Sequence, residues 1–247
     1  MQIVISIDDT DNLYSRGTGA LASLLASALE ENNWGRSSYV TRHQLLVHPD
    51  IPYTSHNSAM CFTADIADSC FADVTAYAGE FLHRESADGS DPGLCVLAVD
   101  SLSDPAPVIA FGRKVKQDVV SIDEAYDLAN RCGVHLSAHG GNGQGVIGAL
   151  AGAGLRLSGH DGRMQGSLKI PAQGGRATAG ELRNLDAVDE VRSLCGSVPD
   201  DHELVRLGEK VKTVMLEGRA VLLLEPLATA ADGARWQTCS KQRLRSY

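Results

Sequence analysis

Apolar positions along the first 160 residues alternate between two spacings, which predict strands and helices in turn. Gln2 to Ile7 is a short apolar run rich in β-branched residues and predicts a buried strand. Thr18 to Asn32 is rich in alanine and leucine at helical spacing. Further strands are predicted at 57–66, 93–99 and 134–137, and further helices at 69–84, 108–116, 122–132 and 146–152. Such alternation is typical of an α/β or α+β fold with a layered mixed sheet.

The pattern changes near Ser158. Residues 159–187 contain many glycines and few large apolar side chains, which predicts a linker or mobile loops. Residues 188–247 contain two apolar runs separated by Glu217-Gly218-Arg219, which predicts a hairpin within a small, mostly β module. The polar tail after Pro226 predicts a frayed end.

Composition and charge narrow the class of protein. The 247 residues carry a net charge of −9, which does not favour a protein that binds nucleic acid mainly through phosphates. A basic stretch is nevertheless present, with Arg183, Arg192, Arg206, Lys210 and Lys212. The six cysteines form no Cys-x-x-Cys pair, which argues strongly against a zinc ribbon. Without a membrane-length apolar run or a secretory signal, we expect a cytoplasmic protein with no membrane partner.

The densest candidate chemistry is the motif Ile7-Asp8-Asp9-Thr10-Asp11-Asn12 after the first strand. Three carboxylates within four positions repel one another unless a cation or several donors offset their charge. Hard oxygen ligands of this kind suit Mg²⁺, which commonly shares its coordination shell with phosphate oxygens. The alternative is a polar turn in which one aspartate caps the following helix. Spacing alone leaves both interpretations open.

A second candidate is a glycine-rich loop that precedes a helix of small residues. Glycines let backbone N–H groups approach an anion, and a helix N-terminus adds a favourable field. The loop lacks the Gly-Lys-Ser/Thr ending of a Walker motif, so an ordinary glycine turn remains open. The candidate phosphate-binding residues are Gly140, Gly141, Asn142, Gly143, Gln144 and Gly145. Carboxylates and a phosphate-binding loop together indicate nucleotide-dependent phosphoryl chemistry.

A third candidate is the proline-containing segment before the second long strand. Its two prolines, Pro49 and Pro52, favour an extended chain that presents polar side chains. His56 and Asn57 are therefore candidate substrate contacts, although a lone loop histidine is more often simply solvated.

Several motifs resemble the archaeal tRNA-isoleucine 2-agmatinylcytidine synthetase family, TiaS. They occur in the family's order at similar spacing and cover roughly residues 1–155. The matching segments are Ile7 to Asp11, Asp50 to Tyr53 with His56-Asn57, Phe111-Gly112, Val119 to Ala125, and Asn142 to Leu150. The resemblance implies binding of ATP and Mg²⁺, activation of a tRNA cytidine by phosphorylation, and displacement by agmatine.

The resemblance also implies roles for individual residues. Asp8, Asp9 and Asp11 match the family's metal and phosphate-transfer aspartates, and Thr18 falls among threonines that include a phosphorylated one. Two departures stand out: Arg16 to Ala20 replace the family's Gly-x-Cys-Thr-Thr run, which argues against autophosphorylation, and Ser55-His56 replace Arg-Gly. By the same resemblance, residues 1–60 with 104–158 are expected to form a kinase-like ATP-binding domain, and residues 61–103 part of a ferredoxin-like subdomain.

Three functions are consistent with these features. The leading prediction is a Mg²⁺- and ATP-dependent phosphotransferase or ligase-like enzyme. Its acceptor is predicted to be a small molecule or nucleotide, because the chain is acidic and lacks a zinc ribbon. One alternative is an ATP-binding regulatory protein without turnover. The other is a tRNA-modifying enzyme that uses the basic stretch from Arg183 to Lys212 to contact tRNA.

Overall fold

A computed structural model describes residues 1–51, 57–172, 174–228 and 233–247. The chain divides into two compact units, Met1–Ser158 and Gly159–Tyr247. Among the described residues, no helix is both long and apolar enough to span a bilayer.

The first unit alternates strands and helices. Its elements are β1 (Gln2–Asp8), α1 (Thr18–Glu31), β2 (Gly35–Ser37), β3 (Thr41–Gln44), β4 (Ser58–Ile66), α2 (Phe71–Glu85), β5 (Gly93–Ala98), α3 (Ala106–Val115), α4 (Ile122–Cys132), β6 (His135–Ala138) and α5 (Gly145–Ser158). Local signals fix several ends. For example, the Ser121 side chain accepts a hydrogen bond from the Glu124 N–H at the start of α4. Gly133, in the left-handed conformation, ends the same helix.

Strand β1 lies inside the sheet and pairs antiparallel with both β4 and β5. The strand order is β6-β5-β1-β4-β3, with β2 also paired to β4. The run from β1 through α1, β3, β4 and α2 to β5 is therefore a split βαβ arrangement of the ferredoxin-like kind. The ferredoxin-like arrangement of strands extends from Gln2 to Ala98 and includes most of residues 61–103, which were predicted as part of such a subdomain. The predicted boundary after residue 60 falls inside β4.

Helices cover both faces of this sheet. The alternation along β1 sends Ile3, Ile5 and Ile7 into a core with α1 and α2. Val4 faces the opposite core, which contains residues of α3, α4 and α5. Because both faces of β1 are buried, its sequence is a nearly continuous apolar run without polar alternation.

Helix α5 packs closely on the sheet because it carries glycines where β1 approaches. A Cβ atom added at Gly148 would lie 1.6 Å from Asp8 Oδ2, and one added at Gly152 would lie 2.5 Å from Ser6 Oγ. The predicted helix at 146–152 is in fact twice as long, because its C-terminal half packs against α3. The small residues are therefore a packing requirement of α5, and they bring its first turns to the end of β1.

The second unit is mostly β. Its elements are β7 (Arg163–Met164), β8 (Arg176–Thr178), α6 (Ala179–Arg183), β9 (Glu190–Ser193), β10 (Leu204–Arg206), β11 (Val214–Leu216), β12 (Arg219–Pro226) and β13 (Trp236–Thr238). The strands follow the order β7-β11-β12-β13-β10-β8, and β9 pairs in parallel with β12. Fold class and secondary structure thus agree with the predicted mixed α/β chain with a C-terminal β part.

Two predictions for this second unit need correction and one is confirmed. The hairpin is confirmed, since β11 and β12 pair antiparallel across Glu217 and Gly218, both at positive φ. Residues 159–187, predicted as a linker or mobile loops, contain β7, β8 and α6. The tail after Pro226, predicted as frayed, contains β13 and a 3₁₀ helix (Arg243–Ser246), and it buries Leu244. The last strand is only three residues long, so its alternation is too brief to read from sequence.

Candidate active site

Four chain segments meet at one edge of the first unit's sheet. Strand β1 ends there, at Asp8, opposite Gly93 at the start of β5. Strand β6 ends at the same edge, because Ala138 also pairs with Gly93. Strand β4 begins there, since Met60 pairs with Ile7. The antiparallel register therefore brings the acidic motif, the glycine-rich loop after β6 and the start of β4 together.

Asp8 is a buried carboxylate. It is 8% exposed and lies against Gly148 of α5. Burial, with the charges of Asp9 and Asp11, raises its pKa to about 8 despite a hydrogen bond from the Asp9 backbone. Asp9 adopts a φ of 50° immediately after the strand. Its pKa is raised to about 6 by burial and by the charges of Asp91 and Asp11. The motif thus gathers carboxyl groups whose charged forms are disfavoured by burial and by one another.

The third motif carboxylate, Asp11, lies at the start of α1. Its Oδ2 accepts a hydrogen bond of 3.3 Å from the Thr18 backbone N–H. The N-cap position itself, Gly17, offers no side chain, so Asp11 acts on the helix N-terminus from outside. The helix-capping alternative therefore applies to this aspartate. Thr18 is 6% exposed and forms part of the first turn of α1, so its side chain is not exposed as an acceptor of a phosphoryl group.

Asp91 is a fourth carboxylate of the site, and sequence analysis missed it. Its backbone N–H donates to the Asp9 carbonyl at 3.0 Å, and its Oδ1 accepts from the Gly143 N–H at 2.6 Å. No local motif marks it, because its place depends on β5 pairing with β1. The only sequence signal is its position two residues before a predicted strand, in Asp91-Pro92-Gly93.

The glycine-rich loop lies beside these carboxylates and leads into α5. Gly141 and Gly143 adopt φ values of 55° and 87°, which explains the need for glycine at both positions. Two of its amides are engaged within the protein: Gly143 N–H donates to Asp91, and Gln144 N–H donates to the Asn142 side chain at 3.2 Å. The predicted phosphate-binding group 140–145 is thus near the acidic motif, with these two amides turned to protein acceptors.

The predicted substrate contacts differ in outcome. His56 lies outside the described residues. Asn57 precedes β4, and its side-chain amide donates to the Leu46 carbonyl at 2.6 Å. Its own carbonyl accepts from the Gln44 side chain at 2.7 Å. In this structure Asn57 therefore ties the chain before β4 to the chain after β3.

The carboxylates fit Mg²⁺ by their donor chemistry but not by their present arrangement. Aspartate oxygens are the hard ligands that Mg²⁺ prefers, and a cation would offset the charge that raises the pKa values of Asp8 and Asp9. Over the described ranges, however, no three acidic, histidine or cysteine side chains are grouped closely enough to hold a metal ion. A metal would have to draw these side chains together.

The basic stretch of the second unit is largely engaged in its own interactions. Arg192 pairs with Glu190 and Glu217, and Arg183 pairs with Asp201. Lys212 Nζ donates to the Met164 carbonyl at 3.1 Å. These three side chains therefore do not form the open cationic face that was predicted to contact tRNA.

Fold and site together define an α/β protein in which a cluster of carboxylates at one sheet edge lies beside a glycine-rich loop. No family model matches the chain. It is 32% identical over 158 residues to the tRNA 2-agmatinylcytidine synthetase TiaS of Methanosarcina acetivorans, covering 62% of this chain and 35% of that protein. The chain thus resembles the TiaS family, and it spans about a third of the length of this curated relative.

Solved structures give the same result. A crystal structure of apo TiaS superposes with a TM-score of 0.53 at 25% identity, covering 62% of this chain and 35% of that one. A complex of TiaS with tRNA and ATP superposes with a TM-score of 0.56 at 22% identity, covering 82% and 50%. This second match shows the fold alone. This match covers 82% of the chain, which is more than the first unit, Met1–Ser158, contains. The similarity of fold therefore extends into the second unit.

Proposed function

We propose that this chain is an ATP-dependent enzyme that acts on tRNA, with its nucleotide site at the acidic sheet edge of the first unit. The observation that carries the proposal is the convergence of Asp8, Asp9, Asp11 and the loop at residues 140–145 on one edge. The curated relative from Methanosarcina acetivorans is named for the synthesis of a modified tRNA cytidine, and it matches this chain over 158 residues.

The aspartates would act by charge and position. Asp8, Asp9 and Asp11 would hold Mg²⁺, which when bound supplies charge neutralisation to phosphate oxygens. Asp8 lies against Gly148 of α5, and Asp11 accepts a hydrogen bond from the first turn of α1. The glycine-rich loop would supply backbone donors to phosphate from amides other than those of Gly143 and Gln144, which bond to protein acceptors.

The comparisons favour tRNA over the small-molecule or nucleotide acceptor that the acidic composition predicted. The relative's name specifies a tRNA product, and one solved neighbour contains tRNA with ATP. Arg183 and Arg192 are ion-paired within the second unit, so they would have to exchange their acidic partners for phosphate in order to contact tRNA. Agmatine, which another solved neighbour contains, is then the amine to test as co-substrate.

A second candidate is an ATP-binding protein without turnover. It is favoured by two specific observations: Thr18 is buried, and the Gly143 amide is bonded to the Asp91 side chain and is therefore not open to a phosphate group. This candidate keeps the same nucleotide site, so it differs from the first only in the chemistry that follows binding.

The test is ATP consumption by the purified chain with Mg²⁺, measured with and without an isoleucine tRNA transcript and agmatine. The proposal predicts consumption that depends on tRNA and is lost in Asp8→Asn. Asp68→Asn is a matched control, because Asp68 pairs with the chain's amino group at the opposite end of β1. Binding of ATP without consumption under any of these conditions would support the second candidate. Consumption that persists in Asp8→Asn would remove the assigned site.

A further inference from the structure

Asp91 is bonded both to the acidic strand end and to the glycine-rich loop. The residue is 9% exposed and lies two positions before β5. Its backbone N–H donates to the Asp9 carbonyl, and its Oδ1 accepts from the Gly143 N–H at 2.6 Å. One residue thus connects two segments that are more than 130 positions apart in sequence.

The loop is shaped to fit around this carboxylate. A Cβ atom at Gly141 would lie 2.5 Å from Asp91 Oδ1, and one at Gly145 would lie 2.0 Å from the Asp91 carbonyl oxygen. The next residue adds a further tie, because the Pro92 carbonyl accepts from the His139 N–H at 2.8 Å. Two glycines are therefore required at these positions by the close approach of Asp91.

We infer that Asp91 is a positioning residue, whose side chain holds the glycine-rich loop at the acidic edge so that the loop and the aspartates can act on one nucleotide. The inference rests on the proposed function only for the identity of that nucleotide. The bond to Gly143 needs an acceptor oxygen at the right distance, and it does not need a charge. An asparagine provides that oxygen, whereas a glutamate keeps the charge but displaces the oxygen by one methylene.

The experiment uses this difference between asparagine and glutamate at position 91. Amide hydrogen exchange of residues 139–146 is measured in the nucleotide-free protein for the parent, Asp91→Ala, Asp91→Asn and Asp91→Glu. We expect roughly tenfold faster exchange in the alanine and glutamate variants, and rates within about threefold of the parent in the asparagine variant. Asp88→Ala is the control, because Asp88 is an exposed aspartate three residues away.

The same variants are then titrated with Mg²⁺ and a non-hydrolysable ATP analogue. Affinity should fall roughly tenfold in the alanine and glutamate variants and be rescued by asparagine. Equal loss in Asn and Ala with retention in Glu would overturn the inference in favour of charge. Unchanged exchange and affinity in every variant would overturn it as well. If Asp91→Ala does not fold, the comparison of Asn with Glu decides. If the parent binds no analogue, the proposed function fails, while the exchange experiment still decides the role of Asp91.

Discussion

Replacing Gly148 with alanine should destabilise the protein, because a clash between α5 and Asp8 outweighs the higher helix propensity of alanine. The new Cβ would lie 1.6 Å from Asp8 Oδ2 and 2.6 Å from Asp8 Cγ. Because Asp8 is buried, its carboxylate has little room to move. Overpacking of this severity costs about 3 kcal/mol, and the gain in helix propensity offsets about 1 kcal/mol. We therefore expect a net loss of about 2 kcal/mol in the free energy of unfolding.

The cause can be isolated with a double-mutant cycle. In an Asp8→Ala background the two colliding atoms are gone, and the remaining contact is with the residue 8 Cβ at 3.1 Å. Gly148→Ala should then range from neutral to stabilising by about 1 kcal/mol, because the gain in helix propensity is set only against the 3.1 Å contact, and this gives a coupling of about 2 to 3 kcal/mol. Urea unfolding at a fixed pH measures each corner of the cycle, with unchanged m-values as the check on two-state behaviour.

A matched control lies one turn further along the same helix. Gly152→Ala would place its Cβ 2.5 Å from Ser6 Oγ and 2.8 Å from Ala59 Cβ, without approaching Asp8. Its cost should be the same whether residue 8 is Asp or Ala. If Gly148→Ala is equally costly in both backgrounds, α5 does not press on the Asp8 carboxylate and the reasoning is refuted.

Three further predictions concern stability. The raised pKa of Asp8, about 8 in the folded protein, means that the folded state binds more protons than the unfolded state between about pH 4 and pH 8. With a chelator present, the free energy of unfolding of the parent should therefore fall relative to that of Asp8→Asn as pH rises from about 4 to about 8. The fall should reach up to about 1.4 kcal/mol per pH unit. Parallel curves of unfolding free energy against pH would contradict the raised pKa of Asp8. Thr178→Ala should cost about 1 kcal/mol in thermal or urea unfolding of the second unit, because Thr178 and Glu181 form a capping box at α6; no change would show that this cap is not formed. Gly133→Ala should cost about 1 kcal/mol through strain at a φ of 66°, although the added Cβ meets no atom within 4 Å; Gly133→Asn should cost less, and an equal cost would contradict strain as the cause.

Local patterns predicted the five helices of the first unit and its strands β1, β4, β5 and β6, because these elements carry their own periodicity and end signals. They missed β2 and β3, which are three and four residues long. The helix at 122–132, for example, has its Ser121 cap and its Gly133 terminus within the sequence itself. The acidic motif was likewise visible, since its three aspartates follow one buried strand. What these signals lack is strand order, and the ferredoxin-like arrangement of Gln2 to Ala98 depends on non-local pairing of β1 with β4 and β5.

The same limit explains the missed part of the site. Asp91 stands in an unremarkable turn, and it becomes important only because β5 pairs with β1. In the second unit, strands of two to four residues and a five-residue helix carry too little periodicity to separate them from loops. These short elements are stabilised by packing against the longer strand β12. The local sequence of residues 159–187 does not indicate that packing.

Calorimetric titration with a non-hydrolysable ATP analogue measures nucleotide binding at the acidic sheet edge. The parent, Asp8→Asn and Asp68→Asn proteins are each titrated with and without Mg²⁺. We expect Mg²⁺-dependent binding that is weakened at least about tenfold by Asp8→Asn, through loss of a charged contact, and is unchanged by Asp68→Asn. Absence of binding by the parent, or equal binding by all three proteins, would contradict the assignment of a nucleotide site to the acidic edge.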